Sequence, residues 1–160
     1  MTAQAVCTFF AVRPGTWLPD WALGLFLILL TVLINVAGFG LVGRRIFRLA
    51  SCVPERDHPT LVLLMIVCVV TVLAASLHAI DAGIWAGVYR LLGAQPDSRT
   101  AMLYSLNAVT SFGHAKLHLD DPWELLGALE AMNGALLFGL STAFLFGVID
   151  KAWFSRREHW

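Results

Sequence analysis

One loop in the second half of the sequence carries residues suited to binding a cation. It is a run of small and polar residues between two apolar stretches, and it consists of Thr110, Ser111, Phe112, Gly113, His114, Ala115 and Lys116. The backbone carbonyls of such a loop can replace the water around a dehydrated cation. One chain supplies too few carbonyls, so several copies would have to surround a common axis. Asp120 and Asp121 follow the loop and would add carboxylates near its mouth.

Ionisable side chains also occur within the apolar stretches, where they are functional candidates by default. Glu130 could attract cations or act in gating. Alternatively, it is hydrogen-bonded to the short helix or loop beside it, because a lone buried carboxylate needs a partner. His78 and Asp81 are three residues apart, so they share a helix face and can pair. The alternative for this pair is a mutually satisfied contact that joins two helices.

Two glycines of the last apolar stretch, Gly134 and Gly139, are candidates for hinges in gating. Close packing of helices against small residues is the alternative interpretation. The polar residues of the same stretch, Asn133, Ser141 and Thr142, would either face a wet cavity or form hydrogen bonds between helices.

The sequence gives little support to a membrane enzyme or a haem protein. Its five histidines and three cysteines show no convincing metal-ligand spacing, although His114 and His118 are four residues apart. No nucleophile lies in a recognisable activating motif. We therefore expect no catalytic residues, no metal site and no cofactor other than a permeant ion.

The elements that would hold these residues are membrane helices. Hydrophobic residues make up 58% of the 160 residues and charged residues only 14%, which is more apolar side chain than a soluble domain of this size can bury. The formal net charge is zero and indicates no nucleic-acid partner. Three apolar stretches, at about 21–42, 60–77 and 125–148, approach or exceed the roughly 20 residues that a spanning helix needs.

We predict an all-α membrane protein with three transmembrane helices, a re-entrant pore helix and a loop. The apolar stretches lack the alternation of barrel strands, so helices are preferred to a β-barrel. Arg99 to Val109 has apolar residues at helical spacing, and at about 1.5 Å per residue it covers only half the bilayer. Asp97 or Ser98 can cap its start. The alternative for 99–121 is an amphipathic helix and loop at the membrane interface.

Basic residues near the spans predict the orientation and the domains. They cluster in the linker 44–58 and in the tail after the third span, so both are expected in the cytoplasm and the N-terminus outside. The predicted parts are an N-terminal helix and linker (1–58), a pore domain (59–154) and a short tail (155–160). The first apolar stretch is too long for a typical cleaved signal peptide. A multi-pass protein of a bacterial-type plasma membrane is expected.

From His78 to Trp153 the chain resembles bacterial potassium-channel-like proteins of the two-pore-domain type. The most specific part of the resemblance runs from Trp123 to Phe144. The matching residues are His78, Asp81, Trp85, Ala86, Gly93, Ala101, Tyr104, Ser105, Val109, Thr110, Gly113, Trp123, Leu125, Leu126, Gly127, Glu130, Asn133, Gly134, Phe138, Gly139, Ser141, Thr142, Ala143 and Phe144. The resemblance implies a homotetramer, four filter loops on one axis and an inner cavity lined by the third span.

The loop departs from the filter of that family, which usually reads Thr-Thr-x-Gly-Tyr-Gly-Asp. His114 stands in place of the tyrosine, Ala115 in place of the second glycine and Lys116 in place of the acidic residue. An alanine in a glycine conformation costs about 1 kcal/mol or more. Lys116 opposes cations at the mouth, and His114 makes the loop sensitive to pH between about 5 and 8.

The sequence thus predicts a pore subunit for passive transport of monovalent cations, K+ or Na+, with reduced or altered K+ selectivity. The alternative is a non-conducting pseudo-channel that acts as a structural or partner subunit. The expected partners are further copies of the chain and the lipid bilayer, with no small-molecule substrate.

Overall fold

The structure is a computed structural model that describes residues 17–51, 59–112, 118–119 and 123–154. These residues form four helices: α1 (Trp17–Ser51), α2 (Pro59–Leu91), α3 (Ser98–Val109) and α4 (Glu124–Phe154). Three segments, Trp17–Arg45, Leu61–Leu91 and Glu124–Lys151, are long and apolar enough to cross a membrane. These helices confirm the prediction of an all-helical protein with three segments suited to crossing a membrane. The N-terminal 16 residues, the linker 52–58 and the tail 155–160 lie outside the described residues.

Helix α2 is continuous through Gly83. It ends in a glycine-based helix stop, in which Gly93 has a φ of +71°. The Ala94 amide donates to the Tyr89 carbonyl at 2.9 Å and the Gly93 amide donates to the Arg90 carbonyl at 3.3 Å. This pair of hydrogen bonds is the Schellman arrangement, and it needs a left-handed residue that glycine adopts without a steric penalty.

Helix α1 packs against both α2 and α4. The Phe39 and Phe144 rings stack with their centroids 4.5 Å apart. A Cβ at Gly38 would meet Leu77 of α2 at 2.9 Å, so the backbone of α1 approaches the side chains of α2 closely. The core between the helices consists of Leu27, Ile28, Trp85, Tyr89, Ala94, Leu119, Leu126 and Leu129.

Helix α3 lies between α2 and α4, and both of its ends are tied down. At its start, the Asp97 side chain accepts a hydrogen bond from the Thr100 amide at 2.9 Å, which identifies Asp97 as the N-cap. At its end, the Val109 carbonyl lies against Gly134 of α4. Gly134 is ten residues after Glu124, the first residue of α4, which corresponds to about 15 Å along the helix.

The chain returns from the far end of α3 to the level at which α3 began. The Gln95 side-chain amide, just before α3, donates to the His118 carbonyl at 2.9 Å. Leu119 is buried, and its side chain would lie 3.2 Å from a Cβ at Gly127, in the first turn of α4. The segment between α3 and α4 therefore starts about 15 Å along α4, beside Gly134, and comes back to the first turn of α4.

Most of the apolar surface of the three long helices has no cover within a single chain. Only 22%, 11% and 22% of the most apolar windows of the three candidate spans is buried. Leu64 and Met65 of α2 and Leu136 of α4 are among the large side chains that are more than half exposed. Surfaces of this kind are stable against lipid or against other apolar helices, and unstable against water.

Candidate functional site

The loop 110–116 is described only in its first three residues. Ser111 has a φ of +53°, a left-handed conformation that is uncommon outside glycine. The Phe112 amide donates to the Asn107 carbonyl at 3.0 Å and the Ser111 amide donates to the Ala108 carbonyl at 2.9 Å, so α3 also ends in a Schellman arrangement. The other predicted filter residues, Gly113, His114, Ala115 and Lys116, and the mouth residues, Asp120 and Asp121, lie outside the described residues.

The surface next to this helix end is open in the single chain. Thr110 and Ser111 are exposed, and the Phe112 side chain is 77% exposed. The Thr110 hydroxyl donates back to the Leu106 carbonyl at 2.7 Å, so it satisfies one of the carbonyls at the end of α3. The loop thus begins on a surface that no other described part of the chain covers.

Glu130 is fully buried and hydrogen-bonded on both of its oxygens. The Tyr89 hydroxyl of α2 donates to one oxygen at 2.6 Å, and the Ser105 hydroxyl of α3 donates to the other. The Ser105 oxygen also lies 2.8 Å from the Ala82 carbonyl of α2. Glu130 therefore joins α2, α3 and α4 behind the short helix. Its bond to Ser105 is the hydrogen bond to the short helix that the sequence analysis gave as the alternative to a role in gating.

Two polar residues of α1 reach the same interior. The Asn133 amide of α4 donates to the Thr31 hydroxyl oxygen at 3.0 Å, and the Asn35 amide donates to one carboxylate oxygen of Asp81 at 2.6 Å. The four residues in these bonds are fully buried. Asn133 thus serves in a bond between helices, and α1 is connected through hydrogen bonds to both α2 and α4.

His78 connects α2 to α4. Its Nε2 lies 3.1 Å from the Ser141 hydroxyl, and its ring packs on the Phe138 ring with the centroids 4.6 Å apart. Its Nδ1 lies 4.0 Å from an oxygen of Asp81, so the predicted pair is adjacent but is too far apart for a direct hydrogen bond.

These contacts form two groups along the same faces of α2 and α4, which we together name the polar seam. It consists of Thr31, Asn35, His78, Asp81, Tyr89, Ser105, Glu130, Asn133 and Ser141. On α2 and on α4 its members recur every three or four residues or at multiples of that spacing, so each set lies on one helix face. In the described part of the chain, the only cationic side chain within ion-pair distance of the two buried carboxylates is His78. The seam is therefore held by hydrogen bonds, with little help from ion pairs.

The two candidate hinge glycines lie in different surroundings. A Cβ at Gly134 would overlap the Val109 carbonyl, whereas a Cβ at Gly139 would meet nothing within 4 Å. Thr142 is exposed and donates only to the Phe138 carbonyl of its own helix at 2.8 Å. Close packing therefore accounts for Gly134, and contacts within one chain do not account for Gly139.

Sequence reasoning did not identify the partners of the predicted residues. Thr31, Asn35, Tyr89 and Ser105 were not named as site residues, although each hydrogen-bonds one that was. A signal existed in α1, because Thr31 and Asn35 are polar residues four apart in an otherwise apolar stretch and so lie on one helix face.

No protein-family model, no curated protein and no solved structure matches the chain. The case for any function therefore comes from the residues and their geometry.

Proposed function

We propose that the chain is a potassium-channel-like pore subunit, in which four copies surround one axis and conduct monovalent cations passively with altered K+ selectivity. The observation that supports this most is the position of α3: its carboxyl end lies beside Gly134, about one third of the way along α4, with Thr110, Ser111 and Phe112 exposed beyond it. On this proposal α3 is a re-entrant pore helix and 110–116 is the filter loop.

The depth of the helix end favours a pore over an interfacial loop. If α4 crosses the bilayer, Gly134 lies about 15 Å from its start, which is near the midplane of a hydrocarbon core about 30 Å thick. Non-helical backbone at that depth is tolerated only within protein or beside a water-filled path. The carboxyl end of α3 also carries a partial negative charge, which favours a cation there.

The exposed surfaces favour assembly of several copies. On α3, Leu103 and Leu106 are 43% and 38% exposed, and on α4, Met132 and Leu136 are 44% and 53% exposed. These faces flank the start of the loop, where neighbouring copies would cover them. Assembly would also gather the loop carbonyls of all copies, which one chain cannot supply in sufficient number.

The composition of the loop argues for altered selectivity. Ala115 and Lys116 replace a glycine and an acidic residue of the family filter, so the usual carbonyl cage would be reshaped and cations would be repelled at the mouth. The same residues favour the alternative proposal, a pseudo-channel that keeps the pore scaffold without conducting.

Ion flux into liposomes tests the proposal. Purified protein should carry K+ or Na+ down a gradient, at about pH 5.5 or about pH 7.5, the range over which histidine changes charge. Bi-ionic reversal potentials then assign the selectivity. A folded tetramer without flux for K+, Na+ or protons would establish the pseudo-channel instead, and a folded monomer or dimer would contradict both.

Cysteine modification adds a matched control. In a background with Cys7, Cys52 and Cys68 replaced by serine, Phe112→Cys should lose flux when a charged thiol reagent is added. Leu64→Cys, on the exposed face of α2 (58% exposed), should not. Equal responses of the two variants would show that Phe112 is not near the ion path.

A further inference from the structure

Four buried side-chain atoms in the described part of the chain have no hydrogen-bond partner, and all four belong to one face of α2 or to the α1 residue that bonds it. They are Asn35 Oδ1, His78 Nδ1, Asp81 Oδ1 and Trp85 Nε1. His78, Asp81 and Trp85 are at positions i, i+3 and i+7 of α2, hence on one face, and Asn35 hydrogen-bonds Asp81. A buried polar group without a partner is costly and rare, so this concentration points to a binding site.

The tautomer of His78 follows from its partner. The Ser141 hydroxyl has one hydrogen, which it donates to the Leu137 carbonyl at 2.9 Å. A Ser141 hydrogen turned towards His78 Nε2 would give the opposite tautomer, but with the hydrogen on the Leu137 carbonyl the hydroxyl oxygen accepts from Nε2, 3.1 Å away. A neutral His78 then carries its proton on Nε2, and Nδ1 presents a lone pair towards Asp81 at 4.0 Å.

Two electron-pair donors thus face each other without a positive charge between them, His78 Nδ1 and the Asp81 carboxylate, and Asn35, whose Oδ1 is unpartnered, donates its amide to that carboxylate. A metal ion such as Ca²⁺ takes about six to eight oxygen ligands, which these groups do not supply. The Trp85 N–H would also oppose a metal cation. A proton needs only one base to bind it and one hydrogen-bond acceptor facing it, so it fits this set of groups best.

We propose that His78 and Asp81 form a proton-binding site inside the helix bundle, which takes up one proton on His78 Nδ1 facing the Asp81 carboxylate. Uptake converts a neutral imidazole and a carboxylate into an imidazolium–carboxylate pair, and the charge of the site changes from −1 to 0. The 4.0 Å gap closes by rotation of the ring or through one bridging water.

The other titratable groups of the packed helices have different partners or lie towards the helix ends. Glu130 and Tyr89 bond each other, with Tyr104 edge-on to Tyr89, and Asp20 lies in the first turn of α1. The charged residues at the helix ends are Arg44, Arg45, Arg48, Arg90, Asp97, Arg99, Glu124, Asp150 and Lys151. From α1 the pair meets the neutral Asn35, and from α4 it meets Ser141 and Phe138. Proton uptake therefore changes the charge where α1, α2 and α4 meet.

Nitrogen-15 NMR of histidine-labelled protein in lipid nanodiscs tests this site without any measurement of ion flux, so it succeeds or fails independently of the proposed pore. His78→Gln assigns the His78 signal among the five histidines. The wild-type signal should change from the Nε2–H tautomer to imidazolium within about pH 5–8. Asp81→Asn should move this transition to lower pH, because the carboxylate that stabilises the imidazolium is gone, whereas Glu124→Gln should not move it.

Three outcomes would overturn the proposal: a His78 that stays neutral throughout, one that is the Nδ1–H tautomer, or a transition that Asp81→Asn leaves unmoved. If Asp81→Asn does not fold, infrared spectra of ¹³C-aspartate-labelled wild type replace it. The carboxylate of Asp81 should then respond at the same pH as the His78 ring, and a carboxylate that does not respond there would also overturn the proposal.

Discussion

The backbone carbonyl of Val109, the last residue of α3, occupies the space that a side chain would need at Gly134 of α4. A Cβ at Gly134 would overlap the carbonyl oxygen and lie 2.7 Å from the carbonyl carbon. The obstacle is backbone, which cannot rotate away as a flexible side chain can. The close packing of the end of α3 against α4 therefore requires glycine at this position, because no other residue leaves enough space.

Replacing this glycine should displace the end of α3 from α4. Gly134→Ala should destabilise the protein by about 1–3 kcal/mol, the usual cost of an overpacked core, and it should reduce protection of the α3 amides against hydrogen exchange. Gly139→Ala is the matched control, since a Cβ there meets nothing within 4 Å.

The control should be neutral or stabilising by up to about 1 kcal/mol, because alanine is the better helix former. Equal loss of stability in the two variants would contradict the contact between Val109 and Gly134. Loss at Gly139 alone would indicate that a second copy of the chain packs there.

The Glu130 carboxyl should tolerate an isosteric change better than an apolar one. Glu130→Gln keeps an acceptor for the Ser105 hydroxyl and a polar group beside the Tyr89 hydroxyl. Glu130→Leu leaves that Tyr89 hydroxyl buried without a partner, at about 1–3 kcal/mol. Unfolding in detergent should therefore rank wild type, Glu130→Gln and Glu130→Leu in falling order. Adding Tyr89→Phe should restore part of the loss in Glu130→Leu, and no restoration would show that this hydrogen bond does not set the cost.

The bond between Thr31 and Asn133 should couple α1 to α4. The variants Thr31→Val and Asn133→Leu should show a coupling energy near the average of about 0.6 kcal/mol for hydrogen bonds between membrane helices. Additive losses would mean that the two side chains do not interact. Thr71→Val is a control, because the Thr71 hydroxyl is exposed and bonds only the Val67 carbonyl of its own helix.

The start of α3 should respond to acid through Asp97. Hydrogen bonds from the Thr100 side chain and amide hold the pKa of this exposed carboxyl below its ordinary value. The stabilisation from a carboxyl with a lowered pKa is present above the unfolded value and is lost as pH falls through the folded value. Hydrogen-exchange protection of the Thr100 amide should therefore drop below about pH 4.

A matched variant separates charge from capping at this position. Asp97→Asn should keep the cap, since asparagine caps helices about as well as aspartate, but should remove the acid-dependent drop. Asp97→Ala should lower protection at every pH. An acid-dependent drop that persists in Asp97→Asn would assign the titration to another group.

The filter alignment makes its own prediction. If Ala115 and Lys116 stand where the family has glycine and an acidic residue, the double variant Ala115→Gly with Lys116→Asp should raise the preference for K+ over Na+ in reversal-potential measurements. A folded double variant with unchanged selectivity would show that the alignment is wrong.

Local signals in the sequence were sufficient to locate the four helices, although not to set the ends of the long ones. Arg99 to Val109 was predicted and Ser98–Val109 is observed, because a capping residue and apolar spacing mark this helix. Hydropathy located the three spans but underestimated their helices. Helix α1 continues through Arg44 and Arg45 to Ser51, since a helix need not stop where the apolar stretch stops. Helix α2 continues past His78 and Asp81, which have polar neighbours in the bundle.

Local signals in the sequence could not predict the hydrogen-bond partners within the site. Nothing in the sequence around Glu130 specifies Tyr89 and Ser105, because that choice depends on how the helices rotate against one another. The rotation follows from many packing contacts, such as Gly134 against Val109 and Gly24 against Leu129.

The polar seam also has a consequence for how the chain is made. Asn35 and its partner Asp81 are 46 residues apart, and Thr31 and Asn133 are 102 apart. During synthesis α1 is therefore made before the partners of Asn35 and Thr31 on α2 and α4, and until then each side chain bonds only carbonyls of α1. Asn35 finds its partner when α2 enters the bilayer, and Thr31 must wait for α4. Insertion would then proceed as an α1–α2 hairpin that α4 closes last, and a chain arrested before α4 would expose Thr31 to lipid or to a membrane chaperone.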